Sequence, residues 1–170
     1  MAANKMKLEQ KYRALLDEAS KQNIANLESI KLCFQTLSLA SLIDHDCAMQ
    51  LAPHGLTEGR FIVLFLLDAS PQGLAPKDIA DKAGITRATV TGLLDGLERD
   101  ELIIRHADHD DRRALKIHLT KQGKQTAKTV FGQHSRWIAQ IFGNLTIQER
   151  IQLTALLEKV SQNLIHEKEA

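Results

Sequence analysis

Val90, Leu93, Leu94 and Leu97 recur at i, i+3, i+4 and i+7, and this single stripe constrains the chain more than any other feature. A helix with one apolar face buries that face and leaves the other for solvent or a partner. Thr86 is placed to cap its start, and the pattern predicts a helix from Arg87 to about Asp100. Just upstream, Pro76 in a first helical turn and Asp78 open a short helix to about Ala83 that buries Ile79 and Ala80, and Gly84 stops it. Downstream come two strand-like runs, Leu102–Arg105 and Leu115–Leu119, the second strictly alternating, joined by a polar tip from His106 to Ala114. Two helices meeting at a short glycine-containing turn and followed by a hairpin make a winged helix–turn–helix.

The flanks are helical. Leu8, Tyr12, Leu15, Leu16 and Ala19 share one helical face, and a longer pattern from about Ile24 to Gln50 carries Leu27, Ile30, Phe34 and Leu37. Whether these two segments join or break near Lys21-Gln22-Asn23 is left open by the pattern. Thr57 is a plausible cap for Glu58–Asp68, a segment apolar nearly all round and so destined for the middle of a core. Thr120 starts a helix to about Phe142 with Val130, His134, Trp137, Ile138 and Ile141 on one side. Thr146 and Glu149 form a capping box for a last helix carrying Ile151, Leu153, Leu156, Leu157, Val160 and Leu164. The expected fold is therefore mainly α with a small two- or three-stranded β wing. Residues 1–54 and 123–170 are read as dimerisation helices, and residues 55–122 as the winged domain.

Composition excludes more than it selects. Lysine and arginine total 22 against 21 acidic residues, so any nucleic-acid affinity must come from local charge. One such place exists: Arg105, Arg112, Arg113, Lys116, Lys121 and Lys124 outnumber Asp108, Asp110 and Asp111 between positions 105 and 124. The start of the chain lacks the apolar run of a signal peptide and no 18-residue apolar stretch occurs, so a cytoplasmic protein away from membranes is the default. Two cysteines, Cys33 and Cys47, are too few for a disulfide framework. No Walker loop, dinucleotide glycines, Gly-x-Ser-x-Gly or His-Glu-x-x-His supports an enzyme, and no cofactor is expected. His45-Asp46-Cys47 makes a poor metal cage, because neighbouring helical positions face different ways. His106, Asp108, His109, Asp110 and Asp111 read as a polar loop tip.

With the stripe inward, Ala88, Thr89, Thr91, Gly92 and Arg99 turn outward and Arg87 projects from the first turn. A recognition helix offers its N-terminal residues to base edges in the major groove. Arg87 can donate two hydrogen bonds to guanine, and threonines can bond bases or phosphates or touch a thymine methyl. Taken alone, this is equally a solvated face with good caps. At the hairpin, Arg112 and Arg113 form a basic tip suited to a minor groove or to phosphates, and Asp111 is placed to hold Arg113 in one rotamer. A winged helix used for protein contacts would have lost those arginines, and both are present.

The run Ile85-Thr-Arg-Ala-Thr-Val-Thr-Gly-Leu-Leu-Asp-Gly-Leu-Glu98, then Leu102-Ile-Ile-Arg105, then Asp110-Asp-Arg-Arg-Ala-Leu-Lys-Ile-His-Leu-Thr120 with Gly123, resembles the MarR family closely. The likeness covers about Leu56 to Gly123. It implies a transcriptional repressor that binds pseudo-palindromic double-stranded DNA as a homodimer through Thr86, Arg87, Ala88, Thr89, Thr91, Gly92, Arg112 and Arg113. Three positions depart from the family pattern. Glu101 stands where glycine is usual at the helix end, and Gly92 and Gly96 stand where long side chains are common.

The resemblance also implies release by a small aromatic or anionic effector, whose contact residues the sequence does not name. The alternative switch is oxidation at Cys33, whose placement resembles the reactive cysteine of the peroxide-sensing branch. That branch holds its thiolate with tyrosines, whereas the matching positions here are Cys47 and Glu58 and the only tyrosine is Tyr12. The residue pattern therefore favours an inert, buried Cys33. On one continuous helix the two sulfurs would stand roughly 21 Å apart, beyond disulfide reach.

Overall fold

The computed structural model describes residues 8–107 and 115–166. The chain forms two compact units with the boundary after Arg60. In the first, α1 (Gln10–Lys21) and α2 (Leu27–Leu51) are separate helices, and a 3₁₀ turn, Ala52–His54, follows. The break left open by the sequence is real. Asn23 and Asn26 both take left-handed backbone, at φ 51° and 59°, which asparagine tolerates better than most residues. Tyr12 stacks on Phe34 with ring centroids 5.0 Å apart, and the Glu9 amide donates to the Ser38 hydroxyl at 3.3 Å.

That last bond corrects one expectation. The inward stripe of α2 continues from Phe34 to Ser38, which is buried, and not to Leu37, which is 43% exposed. The start of α1 leaves amides without helical partners, and a serine hydroxyl can accept from one of them where a leucine cannot. Leu15 on α1 is likewise exposed.

The second unit holds most of α3 (Glu58–Asp68), then α4 (Pro76–Ala83), α5 (Arg87–Arg99), β1 (Ile103–Ala107), β2 (Leu115–Leu119), α6 (Lys121–Ile141) and α7 (Ile147–His166). Its buried core is Phe61, Val63, Leu64 and Leu67 from α3, Ile79 from α4, Val90, Leu94 and Leu97 from α5, Ile103 and Ile117 from the strands, and Val130 from α6. The α3 helix is not buried all round, since Phe65 is exposed and stacks on Phe131 of α6. Phe61 packs on His134, and His134 on Trp137. Strands β1 and β2 are antiparallel with Arg105 opposite Ile117. Leu74 adds a third, one-residue rung by exchanging two backbone hydrogen bonds with Ile117. Among the described residues no helix is long and apolar enough to cross a membrane.

The end of α5 is closed by backbone hydrogen bonds. The Leu102 amide donates to the Leu97 carbonyl and the Glu101 amide to the Glu98 carbonyl, the paired bonds of a Schellman ending. That motif needs a left-handed residue, and Glu101 supplies it at φ 57°. Replacing Glu101 by glycine removes the steric cost of left-handed backbone, about 1 kcal/mol or more, and returns part of it as unfolded-state entropy. Urea unfolding of Glu101→Gly is expected to show a net gain of about 0.5–1 kcal/mol. A loss would mean that the Glu101 side chain has a stabilising role its exposed position does not indicate.

Candidate nucleic-acid interface

The candidate interface begins with the cap of α5. The Thr86 hydroxyl accepts from the Thr89 amide at 3.1 Å and lies 2.8 Å from the Thr89 hydroxyl. The Thr91 hydroxyl donates back to the Arg87 carbonyl at 3.0 Å. These bonds fix three side chains on the first turns of the helix. Thr86, Arg87, Ala88, Thr89, Thr91 and Gly92 are all exposed, whereas Val90, Leu94 and Leu97 are buried. The predicted outward and inward faces thus fall on opposite sides of one helix. Leu93 is half-buried between them.

Charge on α5 is ordered along its length. No acidic residue stands in its first turn, so the positive end of the helix and its unpaired amides remain available to an anion. Among the described residues no side chain is bonded to the Arg87 guanidinium. The acids Asp95 and Glu98 come later, and both are ion-paired to Arg105 of β1. Sequence reading missed this arrangement. Its signal was the i, i+3 spacing of the two acids combined with the alternation that puts Arg105 on the strand face of Ile103. At Gly92, nothing beyond its chain neighbours and its own helix backbone lies within 4 Å of where a Cβ would stand, so packing against the rest of the fold does not require glycine there.

The base of the hairpin is tied to α6. Thr120 caps α6 by accepting from the Gly123 amide at 2.9 Å, and its hydroxyl donates to the Glu101 carbonyl at 2.8 Å. The Thr120 amide donates to the Leu102 carbonyl at 3.1 Å. Asp111, Arg112 and Arg113, the predicted wing tip, lie outside the described residues.

Cys33 differs from expectation: it is exposed, not buried. It sits one position before Phe34, whose ring stacks on Tyr12, and so about 100° round the helix from that contact. Cys47 is the buried thiol. Burial pushes its pKa up, and the carboxylates of Glu58, Asp44 and Asp46 push the same way. Both cysteines lie on the unbroken α2, which keeps their sulfurs beyond disulfide distance within one chain. Among the described residues, no three His, Cys, Asp or Glu side chains come together as a metal cage.

A capped, outward-facing helix behind a shorter helix, with an antiparallel hairpin beside it, defines a winged helix–turn–helix transcription regulator. The MarR family model matches residues 56–115. The transcriptional repressor YetL of Bacillus subtilis is 31% identical over 157 residues, spanning 91% of this chain and 93% of the relative. The homoprotocatechuate degradative operon repressor of Escherichia coli is 33% identical over 129 residues, spanning 73% of this chain and 86% of the relative. In the solved complex of Staphylococcus aureus MepR with DNA, the protein superposes with a TM-score of 0.66 at 27% identity, covering 77% of this chain and 96% of MepR. The chain belongs to the MarR family, and these relatives are transcriptional regulators, not enzymes.

Proposed function

We propose that the protein is a repressor that binds double-stranded DNA as a homodimer on a pseudo-palindromic site and is released by a small aromatic or anionic compound. The observation that carries this reading is the exposed first half of α5, polar, capped and free of acids, with Arg87 projecting from it. Thr86, Arg87, Ala88, Thr89, Thr91 and Gly92 would enter the major groove. Arg112 and Arg113 would reach the flanking minor groove or its phosphates, with Asp111 orienting Arg113. The MepR–DNA complex and the repressors among the relatives support the same assignment.

Dimerisation through residues 1–54 and 123–170 is supported by apolar side chains that the single chain leaves bare. Ile147, Ile151, Leu156, Leu157, Val160 and Leu164 on α7 are each more than half exposed. A two-fold axis would set the two recognition helices about one DNA turn apart, roughly 34–36 Å. An effector that favours a different spacing shifts the population, and a coupling of about 1–3 kcal/mol gives a 5–150-fold change in affinity. The homoprotocatechuate operon repressor among the relatives makes phenolic acids the first compounds to try.

Selection of duplexes from a random pool, repeated with phenolic acids present, tests the reading. Two half-sites about one turn apart are expected, with enrichment lost when an effector is added. A pool that remains unenriched refutes DNA binding. On the selected site, Arg87→Ala is expected to lose about 1–3 kcal/mol of discrimination at one base pair. A uniform loss over every sequence would make Arg87 a phosphate contact instead.

A further inference from the structure

Arg105 occupies β1 opposite Ile117 and, two residues after the buried Ile103, shares its strand face. Its side chain is only 26% exposed, although the neighbouring Ile104 and His106 are exposed. The guanidinium is divided between two acids of the recognition helix. One Nη pairs with the Asp95 carboxylate, and Nε stands 3.1 Å from a Glu98 carboxylate oxygen. Asp95 and Glu98 lie i, i+3 on α5 and are themselves about half exposed, at 55% and 44%.

A planar guanidinium held beside two carboxylates through its Nε–Nη edge constrains orientation as well as distance, which a single-point ammonium does not. The Glu98 contact is an ion pair by distance, without hydrogen-bond geometry. Ion pairs this exposed contribute little to folding stability. Their consequence here is geometric. Strand β1 leads directly into residues 108–114, which include Arg112 and Arg113, while α5 carries Arg87 and the threonines. The backbone ending at Glu101 joins the two elements at one end, and the Arg105 pairs join them a second time, about two residues along the strand. The buried Ile103 and Ile117 and the Leu74 rung already hold the base of the hairpin in the core, and a tie farther along β1 limits its tilt relative to α5.

We propose that Arg105 is a positioning residue for DNA recognition: through Asp95 and Glu98 it sets the angle between the recognition helix and the hairpin, so that both reach their grooves together. This rests on the DNA-binding reading above. It assigns a role in binding to a basic residue that does not itself touch phosphate, its charge being already committed to α5.

The test is a mutant cycle in the full-length protein on the duplex selected by the wild type, with each affinity measured over a range of salt. Arg105→Gln is expected to weaken binding about tenfold, within the range for directly coupled groups, and Arg105→Lys to restore part of the loss. In an Asp95→Asn/Glu98→Gln background the same Arg105→Gln change is expected to cost less than about threefold, because the tie is already gone. The slope of log affinity against log salt should stay at the wild-type value, and thermal midpoints should move little. Three results would each overturn the proposal: an unchanged affinity, the full loss persisting without the acids, or a slope reduced by about one, which marks a direct phosphate contact. A wild-type chain that selects no duplex defeats the DNA reading itself, an outcome separate from a failed cycle.

Discussion

Changing Leu156 and Leu157 together to glutamate is expected to split the dimer proposed above into monomers and remove tight DNA binding at physiological salt. Helix α7 runs from Ile147 to His166, and none of residues 147–164 is buried in the single chain. Its start is well specified. The Thr146 amide and hydroxyl both lie within hydrogen-bond reach of the Glu149 carboxylate, and the Glu149 amide donates back to the Thr146 hydroxyl. The same contacts lower the Glu149 pKa, so the cap is complete above the ordinary carboxylate range and is lost as pH falls through the depressed value. A cap and propensity supply only part of what holds such a helix, because most helical stability in proteins comes from packing an apolar face.

That face exists, with Leu156 at 60% and Leu157 at 52% exposure in the single chain. Burying such leucines is worth about 1.5–3 kcal/mol each, and an unpaired carboxylate in their place costs several kcal/mol. A two-fold interface doubles every change. Loss of the dimer also removes the advantage of binding two half-sites at once, about 10²–10⁴-fold in affinity. Sedimentation velocity and a DNA titration check both halves of the expectation. A variant that still sediments as a dimer and binds DNA normally would mean that this face is not the interface.

Gly123→Ala should be a severely damaging change for the addition of a single methyl. The added Cβ would stand 1.8 Å from the Leu102 carbonyl oxygen and 2.8 Å from its carbon, so backbone and not a flexible side chain must yield. The Leu102 carbonyl already accepts from the Thr120 amide, and Gly123 itself donates to the Thr120 hydroxyl. Moving the two segments apart therefore strains the cap of α6 and the base of the wing together. The expected cost is about 3 kcal/mol, at the upper end for overpacking a tight site. Urea unfolding measures it, and a loss below about 1 kcal/mol would show that the backbones part easily. Gly92→Ala is the matching control. With nothing beyond its chain neighbours and its own helix backbone within 4 Å of the new methyl, it should raise helix stability by about 1 kcal/mol.

Much of the architecture was legible because it rests on local rules. Thr86, Thr120 and Thr146 cap the helices expected of them, and Val90, Leu94 and Leu97 are buried where the helical period puts them. Strand β2 falls on Leu115–Leu119 as its alternation predicts, whereas β1 begins one residue later than its apolar run and extends to Ala107. Leu102 is drawn out of the strand because its amide closes the end of α5 and its carbonyl serves Thr120. The exposed set on α5 was legible for the same reason as the stripe: one helical period fixes both faces.

Where the outcome depended on which segment meets which, the pattern was silent or misleading. Leu37 and Ser38 are neighbours, and hydropathy favours the leucine for burial. Ser38 is buried because the start of α1 arrives there with an amide to satisfy. Cys33 is exposed because Phe34 takes the position facing Tyr12. The sequence by itself determined the helix–turn–helix, its wing strands and the residues turned outward on α5, since these follow from capping, period and backbone sterics within a few residues. Only the tertiary structure decided that Arg105 grips Asp95 and Glu98 and that Gly123 must be glycine against Leu102. Contacts between segments distant in sequence depend on where packing delivers each backbone, and no local preference encodes that.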